Sequence, residues 1–387
     1  MFGDGEDDDP FSCFGSDGSI SSGVASSEDE QQHQGERLRR AANVRQSNTS
    51  TPTASIDRIP VTSPGFEVYS CSNQHGYEKG QFGIRAIRPY EAGEEIMREF
   101  PAMRINSAIA ASSREEATIK FEVAVQETFD ALSPVTAKAV MELSSCNQTQ
   151  QDGGDGKTPL GIFQTNSFQL DQTGFGGLFL TIARMNHSCR PNAVHYWRPD
   201  LYMMVVHAVR DISVGEELCT CYGPGDFFGT ERRRSFLREK FCFECVCDMC
   251  IEGVDAGGDD RMAEIRSFHE NIGLHMASKP EEARKRVERC LDLLREQGIG
   301  HPTGPHVAPV LHYGYQNSLT GLNDEAMAQS YLERELVSIQ SSQGPGSYKA
   351  ISLQRILSEM ETVKGGGDIN YKKNSQTSPS EVPSSPT

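Results

Sequence analysis

Three cysteines set close together, Cys245-x-Cys247-x-x-Cys250, constrain this 387-residue chain more than any other feature. Their thiols can meet only if the backbone folds into a tight turn, and three soft ligands are one short of the tetrahedral set that structural zinc adopts. A bound metal makes deprotonation of such thiols favourable near neutral pH. Two residues offer the fourth sulfur. Cys242 is the local one, since its spacing from Cys245 gives Cys-x-x-Cys. Cys189, inside Asn186-His187-Ser188-Cys189-Arg190-Pro191-Asn192, is the distant one, and its use would tie a remote loop to the end of a domain. With four thiolates the coordination shell is closed, so the ion would be structural.

Composition narrows the function classes. The net charge is −17, and residues 1–31 carry nine acidic and no basic side chains. Nucleic-acid binding rests on Lys and Arg neutralising phosphates, so direct contact with nucleic acid is not expected. An acidic surface instead steers basic protein segments toward it. No run of eighteen apolar residues exists, so no membrane span is expected. The N-terminus lacks a basic region followed by an apolar core, so no secretory signal is expected either. The expected location is therefore a reducing one, nucleus and/or cytoplasm, where the eleven cysteines are read as metal-binding or free rather than as a disulfide framework. Arg37-Leu38-Arg39-Arg40 is too short a basic run to choose between the two compartments.

Residues 1–58 are rich in Asp, Ser, Gly and Gln and read as a disordered acidic tail; 364–387, with Ser/Pro repeats, reads the same way. Strand patterns occur at Phe66–Ser70, Phe82–Ile87, Glu95–Phe100, Gly161–Phe163, Phe168–Leu170, Ala193–Trp197 and Met203–Ala208. Between about 112 and 150 the period becomes helical: Ser112-Ser113-Arg114-Glu115 offers a capping start, and Phe121, Val125, Phe129 and Leu132 recur along one face. Gly153 to Gly156 reads as a mobile loop, and Gly253 to Asp260 as a spacer before the C-terminal helices. Pro280-Glu281-Glu282 opens a helix whose apolar face carries Val287, Leu291 and Leu294. Ala326, Tyr331, Leu332 and Leu336 mark another, and Leu353, Ile356, Leu357 and Met360 a third. The fold class is mixed α+β: an irregular β fold at 59–240 with a helical insertion, a cysteine-rich segment at 241–252 and a helical C-terminal region at 260–363.

Gly177-Leu178-Phe179 through Asn186-His187-Ser188-Cys189-Arg190-Pro191-Asn192-Ala193 resembles the core motif of SET-domain lysine methyltransferases. Gly215-Glu216-Glu217-Leu218-Cys219-Thr220-Cys221-Tyr222-Gly223 resembles the motif that follows it, and Phe241-Cys242-Phe243-Glu244-Cys245-Val246-Cys247-Asp248-Met249-Cys250 looks like the post-SET tail. The resemblance covers about residues 60–252. Asn166-Ser167-Phe168 and the helical C-terminus are similar to fungal SET-domain proteins related to the SET-and-MYND group, but no cysteine-paired MYND finger lies between Gly83 and Asn186, where Cys146 stands alone.

The resemblance implies a pseudoknot in the β fold and a post-SET zinc site of Cys189, Cys245, Cys247 and Cys250. It also implies S-adenosylmethionine as donor and a lysine of a basic protein, histone or non-histone, as acceptor. Carried over, Asn186 and His187 hold the donor, Phe243 stacks on its adenine, Tyr222 is the active-site tyrosine and Phe241 lines the lysine channel. Gly80 and Gly83 are close-approach positions of the donor loop, although Glu78-Lys79-Gly80-Gln81-Phe82-Gly83 departs from the usual Gly-Lys/Arg-Gly spacing. That departure leaves a rival reading, a catalytically silent SET module that binds partners through its helices. Trp197, His195 and His207 read as ordinary core or strand residues, and Cys219 and Cys221 as free thiols. His187 and Cys189 are not expected to form a thiol-protease pair.

Overall fold

The computed structural model describes residues 65–71, 81–146, 156–170, 174–223, 227–252 and 257–364. The acidic N-terminal segment, Gly80, most of the Gly153–Gly156 loop and the tail beyond Lys364 lie outside them. Ten short strands form four small sheets among the described residues. β1 (Phe66–Cys71) and β2 (Gln81–Ala86) make an antiparallel hairpin, with Phe66 opposite Ala86. β3 (Glu95–Glu99), β9 (Met203–Ala208) and β8 (Ala193–Arg198) form a sheet in the order β3-β9-β8. β4 (Met103–Asn106), β6 (Phe175–Leu178) and β5 (Ser167–Gln169) form another in the order β4-β6-β5. The smallest pairs β7 (Asn186–His187) with β10 (Cys219–Thr220) in parallel.

These sheets enclose a core of Ile84, Tyr90, Ile96, Phe179, Trp197 and Met204, all buried. Trp197 packs here, edge-on to Tyr202 with ring centroids 5.4 Å apart, and His207 is buried on β9.

The insertion between β4 and β5 is helical but interrupted. Ser113 caps α1 (Arg114–Asp130) by accepting the Glu116 N–H, and Ser133 caps α2 (Pro134–Met141), whose first residue is the proline that a continuing helix could not hold. Gly161-Ile162-Phe163 departs from its expected strand. It lies in α3 (Pro159–Asn166), with Thr158 accepting the Gly161 N–H and Pro159 at the first turn. An apolar run of three fits a strand or a buried helix equally, and capping decides it. Ile162 and Phe163 are buried against Phe121, Val125 and Val140.

Seven further α-helices follow among the described residues. They are α4 (Thr230–Phe241), the short α5 (Asp248–Glu252), α6 (Gly258–Ser278), α7 (Pro280–Glu296), α8 (Val307–Gln316), α9 (Glu325–Gln343) and α10 (Tyr348–Lys364). Gly229 leaves the start of α4 without a side-chain cap of its own. Asp259 of α6 supplies one, accepting both the N–H (2.8 Å) and the hydroxyl (2.9 Å) of Thr230. The helices are docked on the β region by side chains that reach carbonyls. Arg190 Nε donates to Gln297 O at 2.8 Å and Arg198 Nη2 to Gly346 O at 3.1 Å. No helix of the described residues is long and apolar enough to cross a membrane.

Candidate active site and metal centre

Four sulfurs meet where the β region joins the helices. The Sγ atoms of Cys189, Cys245, Cys247 and Cys250 all lie within 4.8 Å of one another, with Cys189 and Cys250 at 3.6 Å. A zinc–sulfur distance of about 2.3 Å in a tetrahedron requires sulfur spacings of roughly 3.8 Å, so the set fits that ion. Cys189, Cys245 and Cys250 are buried. Hydrogen bonding from the three neighbouring thiols, Cys189 foremost, holds Cys247 far below the ordinary thiol range. Two arginines of α4 brace the turn. Arg233 Nη2 reaches Cys250 Sγ at 3.5 Å, while Arg234 donates to the carbonyls of Cys245 (3.1 Å) and Cys250 (3.2 Å). Their charge offsets the negative charge that clustered thiolates carry.

Cys242 is not in the cluster. It forms a disulfide with Cys146 across a sequence separation of 96, with Cα atoms 5.4 Å apart. Cys146 therefore does not stand alone, and the expectation of cysteines without disulfides fails for this pair. The physical reason is the helix end: Cys242 closes α4 in the left-handed region (φ +59°), which turns it away from Cys245 and toward the end of the insertion. Cys219 and Cys221 are free thiols, as expected.

Two motifs are laced together beside the sulfurs. β7 and β10 pair Asn186 with Cys219 and His187 with Thr220. Asn192 Nδ2 donates to Glu216 Oε1 (2.9 Å) and to Glu217 O (2.7 Å), and Asn192 Oδ1 accepts the Cys219 N–H (2.8 Å). Asn186 Nδ2 donates to Glu217 Oε1 at 2.7 Å and lies 3.5 Å from Cys71 Sγ. The turn leading into Asn186 is fixed by Glu99, a buried carboxylate that accepts the N–H groups of Thr181 and Ile182. Its burial raises its pKa.

His187 is buried, and desolvation lowers its pKa to about 4, so it is neutral. Its Nε2 approaches Cys189 Sγ at 3.3 Å. That sulfur belongs to the four-cysteine cluster, and Nδ1 is occupied by the Tyr222 N–H, so the pair lacks the free base a thiol protease needs.

Tyr222 stands among aromatic rings. Centroids lie 4.9 Å away for Phe241, 5.4 Å for His187 and 6.3 Å, edge-on, for Phe243. Its hydroxyl donates to Met185 O at 2.6 Å, and burial raises its pKa, so it stays protonated. A cavity of about 100 Å³ is lined by His187, Ser188, Glu217, Cys219, Phe243 and Cys247 among others. Gly83 closes in beside it: a Cβ there would come within 2.7 Å of Glu217 Oε1, 2.8 Å of Cys71 Sγ and 2.9 Å of Asn186 Nδ2. Any side chain at 83 would push these groups apart. Gly80 lies outside the described residues. The contacts of Glu217, Cys71 and Arg190 carry no local sequence signal, since they join residues 31 to 146 positions apart.

The family comparison now bears on this geometry, since the family model described as "SET domain" matches residues 81–223. This stretch is a SET domain. Histone-lysine N-methyltransferase set5 of Schizosaccharomyces pombe is 47% identical over 91 residues, which is 24% of this chain and 28% of that relative. Histone-lysine N-methyltransferase SMYD3 of Homo sapiens is 45% identical over 83 residues, 21% of this chain and 18% of the relative. Protein-lysine N-trimethyltransferase SMYD5 of Mus musculus is 37% identical over 111 residues, 28% of this chain and 25% of the relative. The matches thus span at most 28% of these curated relatives. The four-cysteine cluster draws Cys189 from inside the SET domain and its other three sulfurs from beyond its matched end.

Proposed function

We propose that this chain transfers a methyl group from S-adenosylmethionine to a lysine of a protein, histone or non-histone, with a structural zinc on Cys189, Cys245, Cys247 and Cys250. The observation that carries the reading is a convergence around one cavity. Glu217, Phe243, Cys245 and Cys247 line it, Asn186 is bonded to Glu217, and Tyr222 packs against Phe243 and Phe241. Cys189 and Cys250 complete the sulfur cluster, in a chain that matches the SET-domain family and relatives named as lysine methyltransferases.

S-adenosylmethionine supplies an activated methyl on a sulfonium. The chain's residues have three tasks. Asn186 and His187 border the donor site, Gly83 lets the backbone approach it, and Phe243 offers a ring face to the adenine. Phe241 and Tyr222 wall a narrow apolar approach for the lysine. A free lysine has a pKa of about 10.4, and apolar walls disfavour its ammonium form, raising the fraction of nucleophilic amine. The third task is alignment. In-line placement of amine, methyl and sulfur is a proximity effect and needs no protein nucleophile. The Tyr222 hydroxyl donates to Met185 O, which fixes the ring and leaves the oxygen lone pairs as acceptors. The four thiolates would hold the zinc and leave it no open position for substrate, so the ion would serve to tie the Cys245–Cys250 turn to Cys189.

The acidic chain suits a basic substrate segment, in nucleus or cytoplasm. The test is calorimetric titration of the zinc-loaded chain with S-adenosylmethionine, followed by mass analysis of lysine-rich protein substrates. Donor binding and methyl-lysine product are expected. A zinc-loaded chain that binds no donor would sink the enzyme reading in favour of a silent SET module.

A further inference from the structure

An amide side chain has a donor end and an acceptor end, and which way it points usually has to be assigned rather than seen. At Asn186 the neighbour decides. A carboxylate oxygen takes the acceptor role, and Glu217 Oε1 lies 2.7 Å from the Asn186 nitrogen, which donates to it. The nitrogen is further occupied by Cys71 Sγ at 3.5 Å, and that thiol in turn lies 3.9 Å from Glu217 Oε1. The carbonyl end of Asn186 is thereby left as its acceptor.

Glu217 is itself held rigidly. Its backbone bridges Arg85, Leu218 N donates to Ile84 O at 2.7 Å, and Asn192 Nδ2 donates to its carbonyl at 2.7 Å. A Cβ at position 83 would come within 3 Å of the carboxylate, the thiol and the amide, so a glycine there is what lets the three groups meet. The Glu217 side chain also lines the cavity with His187 and Phe243.

We infer that Glu217 is a positioning residue for the donor: it locks the Asn186 amide with nitrogen inward, so that the carbonyl oxygen is presented to the amino group of the donor's amino-acid end. The inference rests on the methyl-donor reading of the cavity. It separates two roles that one motif would otherwise merge, with Asn186 recognising the donor and Glu217 aiming Asn186.

Two probes test it by titration of the full-length, zinc-loaded chain: S-adenosylmethionine, and 5′-methylthioadenosine, which lacks the amino-acid end. Glu217→Ala should weaken S-adenosylmethionine by roughly tenfold or more, the size of a lost hydrogen bond to a charged group, and leave 5′-methylthioadenosine unchanged. Glu217→Gln keeps an acceptor oxygen and should recover most of the loss. In the Asn186→Ala background, Glu217→Ala should cost nothing further. Where Glu217→Ala fails to fold, Glu217→Asp, which withdraws the carboxylate by one methylene, should give the same discrimination between probes. Unaltered S-adenosylmethionine binding, equal weakening of both probes, or losses that add to those of Asn186→Ala would each overturn the inference. An unsubstituted chain that binds neither probe would instead sink the methyl-donor reading beneath it.

Discussion

His187 Nδ1 accepts the backbone N–H of Tyr222 at 3.0 Å. A neutral imidazole has one bare nitrogen and one N–H, so this bond places the proton on Nε2, which points at Cys189 Sγ 3.3 Å away. One ring therefore couples the backbone of the tyrosine to a sulfur of the metal centre.

Replacing His187 by Leu should break that coupling at both ends. Leaving the Tyr222 N–H unsatisfied costs about 1–3 kcal/mol, read as a lower melting temperature together with weaker donor binding. His187→Asn, whose carbonyl can stand in for Nδ1, should restore part of both.

The ligand set is tested by metal counting. The unsubstituted chain should hold one zinc, from its single four-cysteine cluster among the described residues, and Cys189→Ser or Cys247→Ser should release it on mild chelation. Cys242→Ser should keep the full zinc content, because Cys242 is joined to Cys146 instead. Zinc loss from the Cys242 variant would reverse the assignment.

The disulfide should be visible in stability. A cross-link that closes a long loop contributes typically 2–4 kcal/mol, so Cys146→Ser should lower the denaturant midpoint. Reductant should produce the same shift in the unsubstituted chain and none in the variant. Alkylation of both thiols without reductant would show that the bond does not form.

Acid should destabilise the protein. Burial lowers His207, His269 and His306 to about 4, against about 6.5 when unfolded. The unfolded chain then takes up protons first as pH falls. Stability is fully present above about 6.5 and declines through the window down to about 4, each histidine contributing at most about 1.4 kcal/mol per pH unit. Glu99, with a raised pKa, acts in the opposite direction. Melting curves across this window should show the fall, and His306→Phe should flatten it.

Phe241 faces Tyr222 with 4.9 Å between ring centroids and carries no hydroxyl. On the proposed reaction the missing hydroxyl would leave room beside the lysine amine, so products with more than one methyl are expected by mass analysis. Phe241→Tyr should shift the distribution toward monomethyl-lysine. Strictly monomethylated product from the unsubstituted chain would contradict this account.

Much of the architecture was legible because it depends on local rules. Ser113 announces α1, Pro280 and two acids announce α7, and the strand-type runs at Ala193–Trp197 and Met203–Ala208 mark β8 and β9. Gly161–Phe163 misled because three apolar residues carry no period, and the capping threonine lies outside the run. At the site, spacing reveals the Cys245, Cys247 and Cys250 triad, but it does not choose the fourth sulfur. That choice depends on the left-handed turn at Cys242, a three-dimensional fact. The Cys146–Cys242 and Asn186–Glu217 contacts are likewise invisible to spacing, since they join residues 96 and 31 positions apart.

One buried cluster runs from Cys189 and Leu237 through Cys245, Met249 and Cys250 into Ile265, Leu291, Leu294 and Tyr331. It crosses the end of the SET-domain match at residue 223 without a break. The unit of inheritance and the unit of folding therefore have different borders in this chain. A fragment cut at residue 223 would keep Asn186, His187 and Tyr222 but lose every buried member of that cluster except Cys189.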